Sequence, residues 1–202
     1  MANAIVMAGK QIRELTVELR TPRLILRELD ERDWAQVHEY ATNLDVVRYM
    51  EWGPNSEQET KNFIRMAIDL RRQKPRRHFE FAIVDNESSR LIGGCGLTIV
   101  DKDALQAAMG YVLHCDFWRR GIGSEAASAL MRFGFSELKL HRIFATCDED
   151  NVGSAGVMRK CGMRHEGRFV EERLVKGRWR NTLLYSILER EWQEQHGAKQ
   201  GE

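Results

Sequence analysis

The feature that most constrains this chain is an abrupt change of pattern near residue 120. Residues Ala107 to His114 alternate as a strand does, and from Ser124 to about Leu138 apolar positions recur with helical spacing. Between them lies Asp116-Phe117-Trp118-Arg119-Arg120-Gly121-Ile122-Gly123-Ser124-Glu125. A strand that passes through a basic, glycine-bearing turn into a helix N terminus can hold a phosphorylated ligand. The first helical N–H groups have no partner of their own, and the helix dipole favours an anion there. Gly121 and Gly123 allow close approach of a pyrophosphate to the main chain and a positive φ, while Arg119 and Arg120 add charge. A plain tight connection between strand and helix fits the same residues, and the segment alone does not separate the two readings.

The rest of the chain supplies a setting. Its 202 residues fit one domain, with 43% hydrophobic and 30% charged residues and a formal net charge of +1. That balance argues against a general affinity for nucleic acid or membranes. No apolar run approaches the roughly 18 to 20 residues of a membrane span. Cys95, Cys115, Cys147 and Cys161 are 20, 32 and 14 positions apart, without CxxC spacing. Such spacing points to buried thiols in a reducing compartment, by default the cytoplasm, and to no metal site. Residues 1–14 are expected to be a mobile extension, 15–195 the folded domain and 196–202 a mobile tail.

Strands are expected at Arg23–Leu29, Phe79–Val84, Leu91–Val100, Ala107–His114, Arg142–Cys147, Gly167–Val175 and Trp179–Leu188. Gly93, Gly94 and Gly96 suggest a bulge or a close backbone approach in the third of these. Four helices are expected. Asp33 to Tyr40 carries an apolar face of Trp34, Val37 and Tyr40. The next begins at Ser56 with a capping-box spacing to Glu59 and should bury Phe63, Met66, Ala67 and Leu70. The third follows Ser124, and the fourth runs from Asn151 to Cys161 with Gly162 as its C-terminal cap. Arg71, Arg72, Lys74, Arg76 and Arg77 read as a solvated helix end, with an acidic substrate or ribosomal RNA as the alternative. The fold class is α/β (α+β): a mixed, mostly antiparallel seven-stranded sheet. The helix between the fourth and fifth strands is a crossover, so those two strands run parallel. The phosphate turn then lies at the carboxyl end of the first of them, where such sheets place ligands.

Four stretches carry a resemblance. They are Thr21-Pro22-Arg23-Leu24-Ile25-Leu26-Arg27; Gly110-Tyr111-Val112-Leu113 leading to Trp118-Arg119-Arg120-Gly121-Ile122-Gly123; Asn151-Val152-Gly153-Ser154 with Lys160-Cys161-Gly162-Met163; and Glu166-Gly167. In this order and spacing the chain resembles the GNAT-superfamily N-acetyltransferases, and within them the RimJ/RimL-type ribosomal-protein N-terminal acetyltransferases. The resemblance implies a sheet splayed between the fourth and fifth strands. It implies acetyl-CoA as cosubstrate, no metal, an amine acceptor, and a possible homodimer. The pyrophosphate would be held by Arg119, Arg120, Gly121, Ile122, Gly123 and Ser124, with Asn151 and Ser154 also on the coenzyme. The pantetheine arm would pair with the backbone of Val112, Leu113 and His114, and a bulge near Leu113–His114 would supply a donor for the oxyanion.

The acid and base are harder to place. Positions that carry them in many relatives hold Ala107, Ala108, Met109, Thr146 and Met158 here. Ser154 stands where the subgroup's proposed acid stands; the alternative is a hydroxyl tied to backbone at a helix start. Glu80 and Glu172 are candidate bases, each with a surface charge as the alternative, and His114 and His165 are weaker ones. Magnitudes favour an α-amine as acceptor: it is roughly a quarter neutral near pH 7.4, a lysine roughly a thousandth. The function classes left open are acetyl transfer to a peptide or protein N terminus, acetyl transfer to a small amine such as a polyamine, an amino acid or an aminoglycoside, a coenzyme-A-binding module without turnover, and a ribosome-associated binding protein.

Overall fold

The computed structural model describes residues 16–197. One eight-stranded sheet organises them, in the order β1-β2-β3-β4-β5-β6-β8-β7. The strands are β1 Glu18–Arg20, β2 Leu24–Glu28, β3 His78–Asp85, β4 Leu91–Asp101, β5 Gln106–Leu113, β6 Arg142–Asp148, β7 Arg164–Val175 and β8 Arg178–Leu188. The helices are α1 Trp34–Ala41, α2 Glu57–Arg71, α3 Ile122–Ser136, α4 Val152–Lys160 and α5 Glu189–Gly197. All pairings are antiparallel except β5 with β6. The apolar positions of β2 to β6 and β8 meet α3 and α4 on one face of the sheet. On the other face, α1 and α2 cover Ala82, Val84 and Leu91.

The strand β1 and the helix α5 were not expected. Three residues carry too short an alternation to signal a strand, and α5 follows β8 with no glycine or proline between them. It docks through Trp192, whose ring lies 5.5 Å from that of Phe135. The helix runs to Gly197. The extension expected at 1–14 and residues 198–202 of the expected tail lie outside the described residues.

The parallel junction is short. Only Gln106↔Arg142, Ala107↔Ile143 and Ala108↔Phe144 pair, and beyond them β5 and β6 part. The His114 N–H donates to the Ile92 carbonyl of β4 at 2.8 Å. Main-chain groups alternate in direction along a strand, so Val112 and His114 turn theirs to β4, and Tyr111 and Leu113 turn theirs into the gap. Of Val112, Leu113 and His114, only Leu113 therefore turns its main-chain groups to the gap. The expected bulge in β4 is present: the register against β3 passes from Ile83↔Gly93 to Val84↔Leu91, leaving Ile92 over.

The capping box at Ser56 and Glu59 forms, and of the residues α2 was expected to bury, Ala67 is the fully buried one. The helix buries Thr60, Ile64 and Ala67, whereas Phe63 and Met66 line a cavity. The basic run after α2 also differs from a solvated end. Arg71 and Arg76 turn onto the buried Glu28 carboxylate at 3.3 and 2.6 Å. Their charge is spent inside the protein, whereas Arg72, Lys74 and Arg77 stay exposed, as a solvated helix end requires.

Candidate active site

A cavity of about 1240 Å³ occupies the gap and the space above it. Its floor is a strip of sheet. Glu80 on β3, Gly96 on β4 and Gly110 on β5 are successive cross-strand neighbours. The Glu80 carboxylate lies across Gly96, where a Cβ would sit 2.6 Å from Oε2, and Gly110 leaves the next position bare. A channel without side chains therefore runs from Glu80 to the edge of β5. Among the described residues Glu80 has no hydrogen-bond or ion-pair partner, and burial alone pushes its carboxyl up to about 7.

The wall opposite brings Ser154 to the gap. Asn151 caps α4 by accepting from the Ser154 N–H at 3.0 Å, so the cap belongs to Asn151. The Ser154 hydroxyl instead meets the Tyr111 hydroxyl at 3.0 Å. It also hydrogen-bonds the Cys147 thiol, opposing burial and the neighbouring Asp148, which together push that thiol up to about 11. Burial also raises the Tyr111 phenol, against the pull of its Ser154 bond. Tyr111 is a residue that sequence reasoning quoted but gave no role. Its only signal was a polar tip on a strand facing the gap.

Glu80, Asn151, Ser154 and Val112 all line the cavity, and Glu172 does not. Glu172 is exposed on β7. The Thr182 hydroxyl and, after a small burial cost, the Arg173 guanidinium hold its carboxyl below the usual range, with Arg173 Nε donating at 3.0 Å. A charge-paired carboxylate outside the cavity is a poor proton acceptor, so the structure separates Glu172 from the other two. His114 accepts the Asp116 N–H on Nδ1, and His165 packs its ring 5.1 Å from Tyr185. Neither lines the cavity. Among the described residues His114, Cys115 and Asp116 bring ligand-type atoms within 4.8 Å. The histidine nitrogen there is engaged by main chain, and the thiol accepts from the Asn43 amide at 3.4 Å.

The Arg119–Ser124 turn lies past the end of the cavity. Gly121 caps α3 at φ +77° with no side-chain hydrogen bond, so the first amides of the helix have no side-chain cap. Gly121 and Gly123 do different work. A side chain at Gly121 would be strained by its φ, whereas a Cβ at Gly123 would press on Val157 at 3.3 Å and on Leu113 and Tyr111 just beyond. The second glycine therefore serves helix packing. The turn is braced from the connection between β1 and β2: Glu125 accepts from the Thr21 hydroxyl at 2.6 Å, the Arg23 N–H at 3.0 Å and Arg23 Nε at 2.6 Å. Arg23 also donates to the Arg120 carbonyl at 2.9 Å. Burial opposes ionisation of Glu125, but Thr21 and Arg23 outweigh it and hold the carboxyl below its usual value. Uncapped amides at a braced helix mouth, beside a gap with open main-chain groups, fit a ligand that carries phosphate at one end and amides along its length.

Residues 23–164 match the family model described as an acetyltransferase (GNAT) domain. The chain belongs to the GNAT acetyltransferase family. Acetyltransferases of this family use acetyl-CoA. Among curated relatives, the uncharacterized N-acetyltransferase YnaD of Bacillus subtilis is 33% identical over 177 residues, covering 87% of this chain and 99% of the relative. A solved GNAT acetyltransferase from Bacillus anthracis is 32% identical with a TM-score of 0.77, covering 86% and 99% of the two chains. More distant GNAT relatives differ in acceptor. The [Ribosomal protein uS5]-alanine N-acetyltransferase of Escherichia coli is 25% identical over 182 residues, covering 87% of this chain and 93% of its own. The spermidine N(1)-acetyltransferase of the same species is 24% identical over 179, covering 85% and 89%.

Proposed function

We propose that this GNAT enzyme moves the acetyl group of acetyl-CoA onto a single α-type primary amine at a peptide or protein N terminus, as RimJ/RimL-type enzymes do. The observation that carries this reading is the charge inventory of the cavity. Of its lining carboxylates, Glu51 is paired with Arg173, Asp148 with Arg180, and Glu59 with the Ser56 cap. Glu80 is left, and it offers one ammonium one counter-charge. A polyamine would bring further ammonium groups to a space where the other acids are taken and Arg173 and Arg180 stand nearby. Phe63, Met66 and Trp52 on the same wall suit an apolar neighbour of the amine.

The match of acidities points the same way. Proton transfer from an α-ammonium, at about 7.7 to 8.0, to a carboxylate near 7 costs only about 1 kcal/mol, against about 5 from a lysine at about 10.4. In this scheme the ammonium gives one proton to Glu80. The nitrogen lone pair forms the C–N bond and the carbonyl electrons shift to oxygen, beside the Leu113 and Tyr111 amides. Collapse breaks the C–S bond. The leaving sulfur takes a proton from the Ser154 hydroxyl, which regains one from the nitrogen through solvent. Main-chain amides of Arg119 through Ser124 hold the pyrophosphate, with Asn151 near the pantetheine end.

The test is thiol release and mass spectrometry with acetyl-CoA and three acceptors: a peptide with a free N terminus, the same peptide N-blocked but containing lysine, and spermidine. The free N terminus is expected to be preferred at least about tenfold, with kcat/KM falling below about pH 7. Glu80→Gln should lower kcat/KM by about 10² to 10⁴ and move that acid limb up to the range of the free amine itself, about 7.7 to 8.0. Preference for spermidine would overturn the acceptor, and tight coenzyme binding without thiol release would leave a binding module.

A further inference from the structure

Tyr40 is 3% exposed, in the last turn of α1, with its hydroxyl directed at the cavity floor. A Cβ on Gly94 would sit 3.3 Å from that hydroxyl, so the phenol stands over the glycine next along β4 from the strip that carries Glu80. The two are close enough that burial and then the Glu80 charge hold the Tyr40 phenol above its usual pKa. Among the described residues no hydrogen bond engages the Tyr40 hydroxyl. Buried polar tips are ordinarily paired, because an unmade bond in a low-dielectric site is costly. Here a phenol and a carboxyl open on the cavity rather than being sealed in the core, and both face one channel that leads to Gly110 and the gap, where a bound ligand could supply the missing partners.

We propose that Tyr40 is the second half of the acceptor-amine site and the residue that selects primary over secondary amines. A neutral primary amine has two N–H bonds and one lone pair. One N–H meets the Glu80 carboxyl oxygen, the other meets the Tyr40 Oη, and the lone pair is left pointing along the bare Gly96–Gly110 strip toward the thioester. A secondary amine, including an N-terminal proline, has one N–H and leaves one of the two buried groups unpaired. This rests on the acetyl-transfer reading above, but adds a residue and a selectivity that reading does not contain.

The experiment compares phenylalaninamide with N-methylphenylalaninamide, each at high millimolar concentration with saturating acetyl-CoA, by thiol release. Wild type is expected to favour the primary amine about tenfold or more in kcat/KM, the scale of a lost buried hydrogen bond. Tyr40→Phe keeps the ring and should bring the ratio to within about twofold, with KM for acetyl-CoA and the melting temperature little changed. Gly94→Ala is the second variant: it leaves the phenol in place but crowds its hydroxyl, and should reduce the ratio as well. Activity with an unchanged ratio in both variants would overturn the role of Tyr40 while leaving acetyl transfer intact. No thiol release with either amine in wild type would overturn the acetyl-transfer reading, and this inference with it.

Discussion

At the scale of single residues, Glu80 is a cost to the fold. Its carboxyl is raised from 4.5 to about 7 by burial. Below the lower value both folded and unfolded chains hold the proton, and stability is unaffected. Between the two the unfolded chain ionises while the folded one does not, so stability falls as pH rises, by on the order of 3 kcal/mol above the upper value. Glu80→Gln is therefore expected to melt several degrees higher than wild type at pH 8 and to match it near pH 4.5, while losing activity at both. Thermal unfolding across pH checks this, and a pH-independent shift would mean that the carboxyl does not ionise in a buried setting. The residue itself was legible in the sequence as an acid within an apolar alternation. Its isolation was not, because the glycines that clear its path come from β4 and β5 and are brought beside it only by register. Glu172 looked equivalent because its partner Thr182 comes from β8, although Arg173 stands next to it in the sequence.

At the scale of elements, the helix mouth after β5 was legible because a strand pattern, a glycine turn and a helix pattern follow one another without a break. The division of labour between its glycines was not, since the neighbours of Gly123 lie on α4 and β5. Gly121→Ala forces a side chain to φ +77°, a strain of about 1 to 2 kcal/mol that the turn can relieve only by reorienting its amides. Acetyl-CoA affinity measured by calorimetry is expected to weaken about tenfold, with a small loss of stability. Unchanged affinity would show that those amides do not hold the coenzyme. The motif around Thr21 and Arg23 marked the family in sequence, and its physical work, bracing Glu125 across about a hundred residues, needed the fold. The helix α5 escaped notice because no glycine or proline sets it apart from β8, and β1 because three residues are too few to show an alternation.

At the scale of the whole molecule, the hairpins and the one parallel crossover were legible in the sequence, whereas the place of β8 between β6 and β7 was not, and neither was the cavity. The cavity is also roofed from afar: the β7–β8 hairpin fastens to the 42–55 segment by an Arg173–Glu51 ion pair and by Lys176 Nζ donating to the Val47 carbonyl at 2.6 Å. Below that roof the sheet is held across its middle by three residue pairs. The molecule thus has an inner seam where two strands expose main chain to whatever fills the space. Amide hydrogens along β5 should then exchange with solvent deuterium at two rates. Those of Gly110, Val112 and His114 are locked by β4 and should be slow with or without coenzyme A. Those of Tyr111 and Leu113 should be quick in the free protein and slow once the coenzyme closes the seam, so that a small molecule completes the sheet as a strand would.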